Sequence, residues 1–452
     1  MTDYPAVARD RIWQFGTSHR KMERTGGPIV FDTAEGCHLT DSTGRRYIDA
    51  LSGVWVVNAG HSHPDIVAAI TTQASRLGYA LSEEGFANTA AVDLAVRLTD
   101  AVDGVYDRSY FTTGGSESVE IALRMARLYH GALGRPSKRT VISREGSYHG
   151  ATLFTLGLSS YDLFSRAIGP LPEGHTKVPH PTCGDCPFAL EYPGCGVRCA
   201  TELATTIERL GQDTVAAFIA EPVSTSAGVA VPPPEYWPMI REICTRYDVL
   251  LVADEVVTGM GRCGEVLATR RLGVEADIVA LAKALTSGYA PLGAVLTHRD
   301  ITAAMPANAL LIPGFTFTGH PIACAAATAN LDLLCRPEVL DGVDRKSDRL
   351  ATALRQRLNG RPYVGGIRVF GLLAAVDITL PAVRGRQSVG AAQVSQLMSG
   401  WLLESGLYTR VIEGCIQLGP PLLAPDDLMD TIADHLAAAF DRLAEHLERV
   451  GS

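Results

Sequence analysis

Between about residues 85 and 325 the chain alternates short apolar runs with stretches of helical periodicity. The apolar runs are SYFTT (109–113), TVISRE (140–145), AAFIAEP (216–222), VLLVADE (249–255), DIVAL (277–281) and GAVLT (293–297). Helical patterns lie at 117–130, at 235–247 and in the Ala-rich run after Pro321. Such alternation predicts βα units and a mainly parallel sheet. The first fifty residues carry turn signals instead, with Gly44 dividing two short extended runs. Beyond about residue 340, a helix-rich segment, a Gly-marked extended stretch (VFGLLAAVDI) and a last helix over 426–449 predict a smaller α+β domain. The expected organisation is an α/β chain in which 71–330 form a large domain. The N-terminal segment 1–70 is expected to join the smaller domain of 331–452.

Composition adds exclusions. The 452 residues are 46% hydrophobic and 20% charged, enough for a packed core and too apolar for disorder. With 40 basic and 49 acidic residues and no Lys/Arg block, nothing marks a nucleic-acid or membrane-surface partner. No stretch approaches the roughly 18 apolar residues of a membrane span. The start, Met1-Thr2-Asp3-Tyr4-Pro5, lacks the layout of a signal peptide, so a cytoplasmic location is expected. Four of the ten cysteines, Cys183, Cys186, Cys195 and Cys199, are spaced C-x2-C-x8-C-x3-C. Four thiolates suit zinc, but a Pro/Gly-rich loop with reduced thiols needs no metal, and none is expected.

Several apolar runs end in polar or glycine-rich clusters. Thr113-Gly114-Gly115-Ser116 follows one, Glu221-Pro222 another and Asp254-Glu255 a third, while Lys283 lies two residues past DIVAL. In open α/β sheets ligands bind outside the carboxyl ends of the strands. Isolated charges there are costly to bury, which favours one shared ligand. Gly114-Gly115-Ser116, opening a helix, suits an anion such as phosphate. Neither G-x4-G-K-[ST] nor G-x-G-x-x-G occurs there. A lysine between apolar neighbours has a use if its amine reacts with an aldehyde. Lysine, aspartate and a phosphate cradle together are the kit of a pyridoxal phosphate enzyme.

From about residue 28 to 425 the chain resembles the class III aminotransferases, of the fold-type-I pyridoxal phosphate superfamily. The resemblance rests on LSGVWVVNAGHSHP, FTTGGSESVEIALRMAR, SYHG, AEPV, LLVADEVVTGMGRCGE, DIVALAKALTSGYAPLGAV, GFTFTGHP and TRVIEGCIQLGPPL, in that order. Gly115-Ser116-Glu117-Ser118 departs mildly from the family's glycine-serine-glutamate-alanine. The resemblance implies that Lys283 is the Schiff-base lysine and Asp254 the partner of the pyridine nitrogen. It places Val256 and Tyr148 on opposite ring faces, with His149 beside Tyr148 and Glu221 in the cofactor site. Gly115 and Ser116 would grip the phosphate, joined by Thr316 from the second subunit of a homodimer with shared sites. Arg410 resembles the arginine that binds a substrate α-carboxylate, and Trp55 and Phe15 align with aromatics of the amine pocket. Relatives that use glutamate carry a second glutamate where this chain has Ser226, and a glutamine where it has Val257. Both departures point to transfer from an ω-amino acid or amine to pyruvate. A 2-oxoglutarate-using aminotransferase, and a racemase or aminomutase on the same scaffold, are the alternatives.

Overall fold

The computed structural model describes residues 2–83, 85–160, 167–305, 313–380 and 390–451. Three strands come early: β1 (Phe31–Glu35), β2 (His38–Asp41) and β3 (Arg46–Asp49). Seven more build the central sheet. They are β4 (Tyr106–Thr112), β5 (Thr140–Arg144), β6 (His175–Val178), β7 (Val215–Ala220), β8 (Leu250–Asp254), β9 (Ile278–Leu281) and β10 (Gly293–His298). Five strands follow: β11 (Val364–Phe370), β12 (Leu373–Ile378), β13 (Leu407–Tyr408), β14 (Arg410–Ile412) and β15 (Cys415–Leu418).

The central order is β4-β10-β9-β8-β7-β5-β6, with β10 antiparallel to both neighbours and the remaining pairs parallel. Every residue of β7, β8 and β9 is buried. Strands covered by helices on both faces read as unbroken apolar runs, which is how the sequence shows them. Strand β6 (HTKV) was not expected; it is a half-buried edge strand whose polar residues resemble a loop. The extended stretch after residue 364 is two strands, β11 and β12, turned at Gly371, where φ is +58°. A Cβ there would meet Arg262 O at 2.7 Å, so the turn needs glycine twice over.

Two smaller four-stranded sheets have the orders β1-β2-β3-β13 and β11-β12-β15-β14. Strand β13 runs parallel to β3, and Gly419 N–H donates to Ala50 O at 2.8 Å, so early and late segments are knitted together. No helix among the described residues is long and apolar enough to cross a membrane.

Candidate active site

The carboxyl ends of β8 and β9 bring Asp254 and Lys283 onto one edge of the sheet. Lys283 begins a short 3-10 turn with φ at +45°, a left-handed conformation that side chains other than glycine rarely hold. Such positions persist where the surrounding structure compels them, and they cluster at functional sites. Burial lowers the pKa of its amine, Asp254 raises it, Arg410 lowers it and Glu221 raises it, and the outcome is about 8. A lysine so depressed has a substantial neutral fraction near neutrality and is a usable nucleophile or base.

Asp254 is 4% exposed. Its Oδ1 accepts the Val256 N–H at 3.2 Å, and its Oδ2 lies 2.7 Å from His149 Nδ1. His149 is buried, and its Nε2 lies 3.8 Å from Glu221 Oε2. Glu221 in turn accepts the Tyr148 N–H at 3.0 Å and the Ser224 hydroxyl at 3.2 Å. Arg144, fully buried at the end of β5, donates to both the carboxylate and the carbonyl of Glu221. Burial alone would raise the Glu221 carboxyl; the charges of His149, Arg144 and His180 and the Tyr148 N–H bring it down to about 2. Glu221 is therefore an anion whose work is to hold Arg144 and the Tyr148 backbone. Sequence reasoning named Glu221 but missed Arg144, which reads as the polar end of an apolar run.

The third component is the start of the 18-residue helix Gly115–Ala132, after β4. No side chain caps it, so its first N–H groups face outward with the helix dipole behind them. Glu117 instead accepts the Thr113 N–H at 2.8 Å and the Thr113 hydroxyl at 2.6 Å, fixing the approach to the turn. Ser116 Oγ accepts the Ala151 N–H at 3.0 Å, which leaves the hydroxyl proton to give to an anion. A Cβ on Gly115 would fall 2.9 Å from Val256 Cγ1 and 3.6 Å from Ala282 Cβ. The helix start is thus seated against the immediate neighbours of Asp254 and Lys283. An anion cradle, a buried carboxylate and a partly neutral amine on one edge fit the phosphate, ring nitrogen and aldehyde of pyridoxal phosphate.

Arg410, on β14, is half-buried, and its guanidinium makes no hydrogen bond or ion pair among the described residues. Ser226 does not reach for it, because the serine hydroxyl donates to Gly146 O at 2.8 Å. Trp55 is 2% exposed and packs in an apolar cluster with Leu51, Val223 and Val229, with Val257 against it. Its ring lies against Gly419, where a Cβ would come 2.3 Å from Trp55 Cδ1. Phe15 is 83% exposed, on the surface of the chain. Thr316 is exposed too, its carbonyl accepting the Tyr79 hydroxyl at 3.0 Å. The four clustered thiols are free and line one pocket with His180. Among the described residues no group of three or more His, Cys, Asp or Glu is placed to hold a metal.

Comparison with known proteins found similarities over nearly the whole chain. The class-III aminotransferase profile matches residues 21–440. A probable aminotransferase of Mycobacterium tuberculosis is 37% identical over 412 residues, spanning 90% of this chain and 88% of its own. The putrescine–pyruvate aminotransferase of Pseudomonas aeruginosa is 31% identical over 443 residues, spanning 98% and 96%. A PLP-bound amine transaminase from an uncultivated Pseudomonas species superposes with a TM-score of 0.90 at 35% identity, covering 96% of this chain and 98% of that one.

Proposed function

Because the chain belongs to the class III aminotransferases, enzymes that use pyridoxal phosphate, we propose that it moves an amino group from an ω-amino acid or amine to pyruvate by a ping-pong cycle. When bound, pyridoxal phosphate supplies an aldehyde for the amino group and a ring that draws electrons from the bonds at the substrate carbon. The chain's own residues supply the rest. Gly115 and Ser116 hold the phosphate at the helix start, with Thr316 contributed by a second copy. Tyr148 and Val256 take the two ring faces, and Asp254, steadied by His149, holds the proton of the ring nitrogen. Glu221 sets the backbone at Tyr148 from behind. Lys283, with its pKa near 8, takes the proton from the substrate carbon and delivers it to the cofactor side. A homodimer is supported by exposed apolar residues around Thr316, where Phe317 (54% exposed) meets Tyr79 (44%) edge-on.

The acceptor rests on one observation. Among the described residues, Arg410 is the one cation among the charges that shift Lys283, the others being Asp254 and Glu221. One arginine suits the single carboxylate of pyruvate, as a bidentate fork. The second carboxylate of 2-oxoglutarate would ask for a second cation. The name of the Pseudomonas aeruginosa relative, putrescine–pyruvate aminotransferase, gives that protein the same acceptor. A panel of amine and ω-amino acid donors, each with pyruvate and with 2-oxoglutarate, tests the reading. Pyruvate is expected to serve at least as well as 2-oxoglutarate; a strong preference for 2-oxoglutarate would overturn it.

A further inference from the structure

Arg410 and Gln417 are direct partners across the antiparallel pair β14–β15. Directly opposed residues project from the same face, with Cβ atoms about 4.5–5.5 Å apart. Gln417 is 4% exposed, and its side-chain nitrogen donates to Thr225 O at 2.8 Å. A backbone carbonyl can only accept, so this bond fixes which end of the amide is which. The carbonyl oxygen, Oε1, is left buried with no hydrogen-bond partner. Buried acceptors without a donor are rare and costly. Opposite it stands a guanidinium with five N–H donors and, among the described residues, no acceptor.

The neighbouring groups are already committed. Along the same cross-strand row, Ala375 opposes both Gln417 and Arg368. Arg368 is held by both oxygens of Asp377 and donates to Gly228 O at 2.8 Å. Ser226 donates to Gly146 O. We propose that Gln417 Oε1 is the resting acceptor of Arg410, which the guanidinium occupies when a substrate brings no carboxylate and leaves when one does. The inference rests on reading Arg410 as the carboxylate-binding residue. Gln417 is then a positioning residue that sets substrate discrimination. A neutral acceptor holds the guanidinium more weakly than a carboxylate would, so a keto acid displaces it easily.

Gln417→Glu and Gln417→Met are compared with wild type and Arg410→Ala. The readouts are KM and kcat for pyruvate and for an amine donor without a carboxylate, with thermal melting as a check on folding. Gln417→Glu gives Arg410 a fixed anion, so KM for pyruvate is expected to rise about tenfold with kcat little changed. Gln417→Met keeps the volume and removes the acceptor; KM for the donor without a carboxylate is expected to rise while that for pyruvate does not. In Arg410→Ala/Gln417→Glu the effect of the glutamate should vanish, a coupling that a merely structural role would not produce. A Gln417→Glu enzyme with wild-type KM for pyruvate, or an effect that persists without Arg410, would overturn the inference while sparing the role of Arg410. If Gln417→Glu fails to fold, a Gln417→Met enzyme with unchanged donor KM overturns it equally. An Arg410→Ala enzyme that uses pyruvate as wild type does would remove the underlying reading, and the inference with it.

Discussion

Two regions send charge toward Lys283, and they are built in opposite ways. At the ends of β5, β7 and β8 the charges are interlocked: Arg144 on Glu221, Glu221 on the Tyr148 backbone, Asp254 on His149. All of these charged side chains are buried, and the arrangement leaves little freedom to move. On the β14–β15 hairpin, Arg410 is half-buried and, among the described residues, uncommitted. The first region suits a cofactor that stays, and the second suits substrates that alternate between carrying a carboxylate and lacking one. Low-dielectric burial strengthens the attraction between paired charges, whereas an arginine near solvent can change partners at small cost.

The contrast is broken most severely at the residue both regions serve. Lys283→Ala is expected to abolish transamination while the thermal melt of the protein stays cooperative. Turnover at the wild-type rate in that variant would refute the assignment.

The interlocked side is tested next by Glu221→Gln, which leaves the Arg144 guanidinium buried without its anion. Breaking a buried ion pair from one side costs about 3–5 kcal/mol of stability. The same pair gives a pH dependence of known sign. The Glu221 carboxyl sits at about 2 in the fold, below its ordinary value of 4.5. Its stabilisation is therefore complete above roughly pH 4.5 and is lost as the pH falls toward 2. Melting temperatures across the acid range should converge for wild type and Glu221→Gln; parallel curves would show that the pair does not matter.

Asp254→Asn removes a charge and leaves the shape. If Asp254 holds the ring-nitrogen proton, the barrier should rise by about 3 kcal/mol, roughly a hundredfold in rate with either substrate. Single-turnover rates within a few-fold of wild type in both half-reactions would end that role.

What the sequence disclosed follows the same division. Strands β7, β8 and β9 are unbroken apolar runs because both faces are covered, and Lys283 stood out as a cation among apolar neighbours. Gly115 and Ser116 could be read because helix starts that hold anions have a local signature. Strand β6 was missed because an edge strand of polar residues has no apolar period to show. The tie between Arg144 and Glu221 spans 77 positions, and nothing local to TVISR announces it. What surrounds Trp55 could not be read locally, because Gly419, Val223 and Val229 are distant in sequence. Gln417 gains its meaning from strand register alone.

The most direct test of the division between fixed and adjustable halves is a pair of single-turnover measurements on Arg410→Ala. One follows the half-reaction with an amine lacking a carboxylate, the other the half-reaction with pyruvate. The loss of a charge-assisted bidentate contact costs about 1.5–3 kcal/mol, or roughly ten- to a hundredfold in apparent affinity. The account predicts that loss for pyruvate alone, with the amine half-reaction and cofactor retention unchanged. Equal losses in both half-reactions, or none in either, would contradict it.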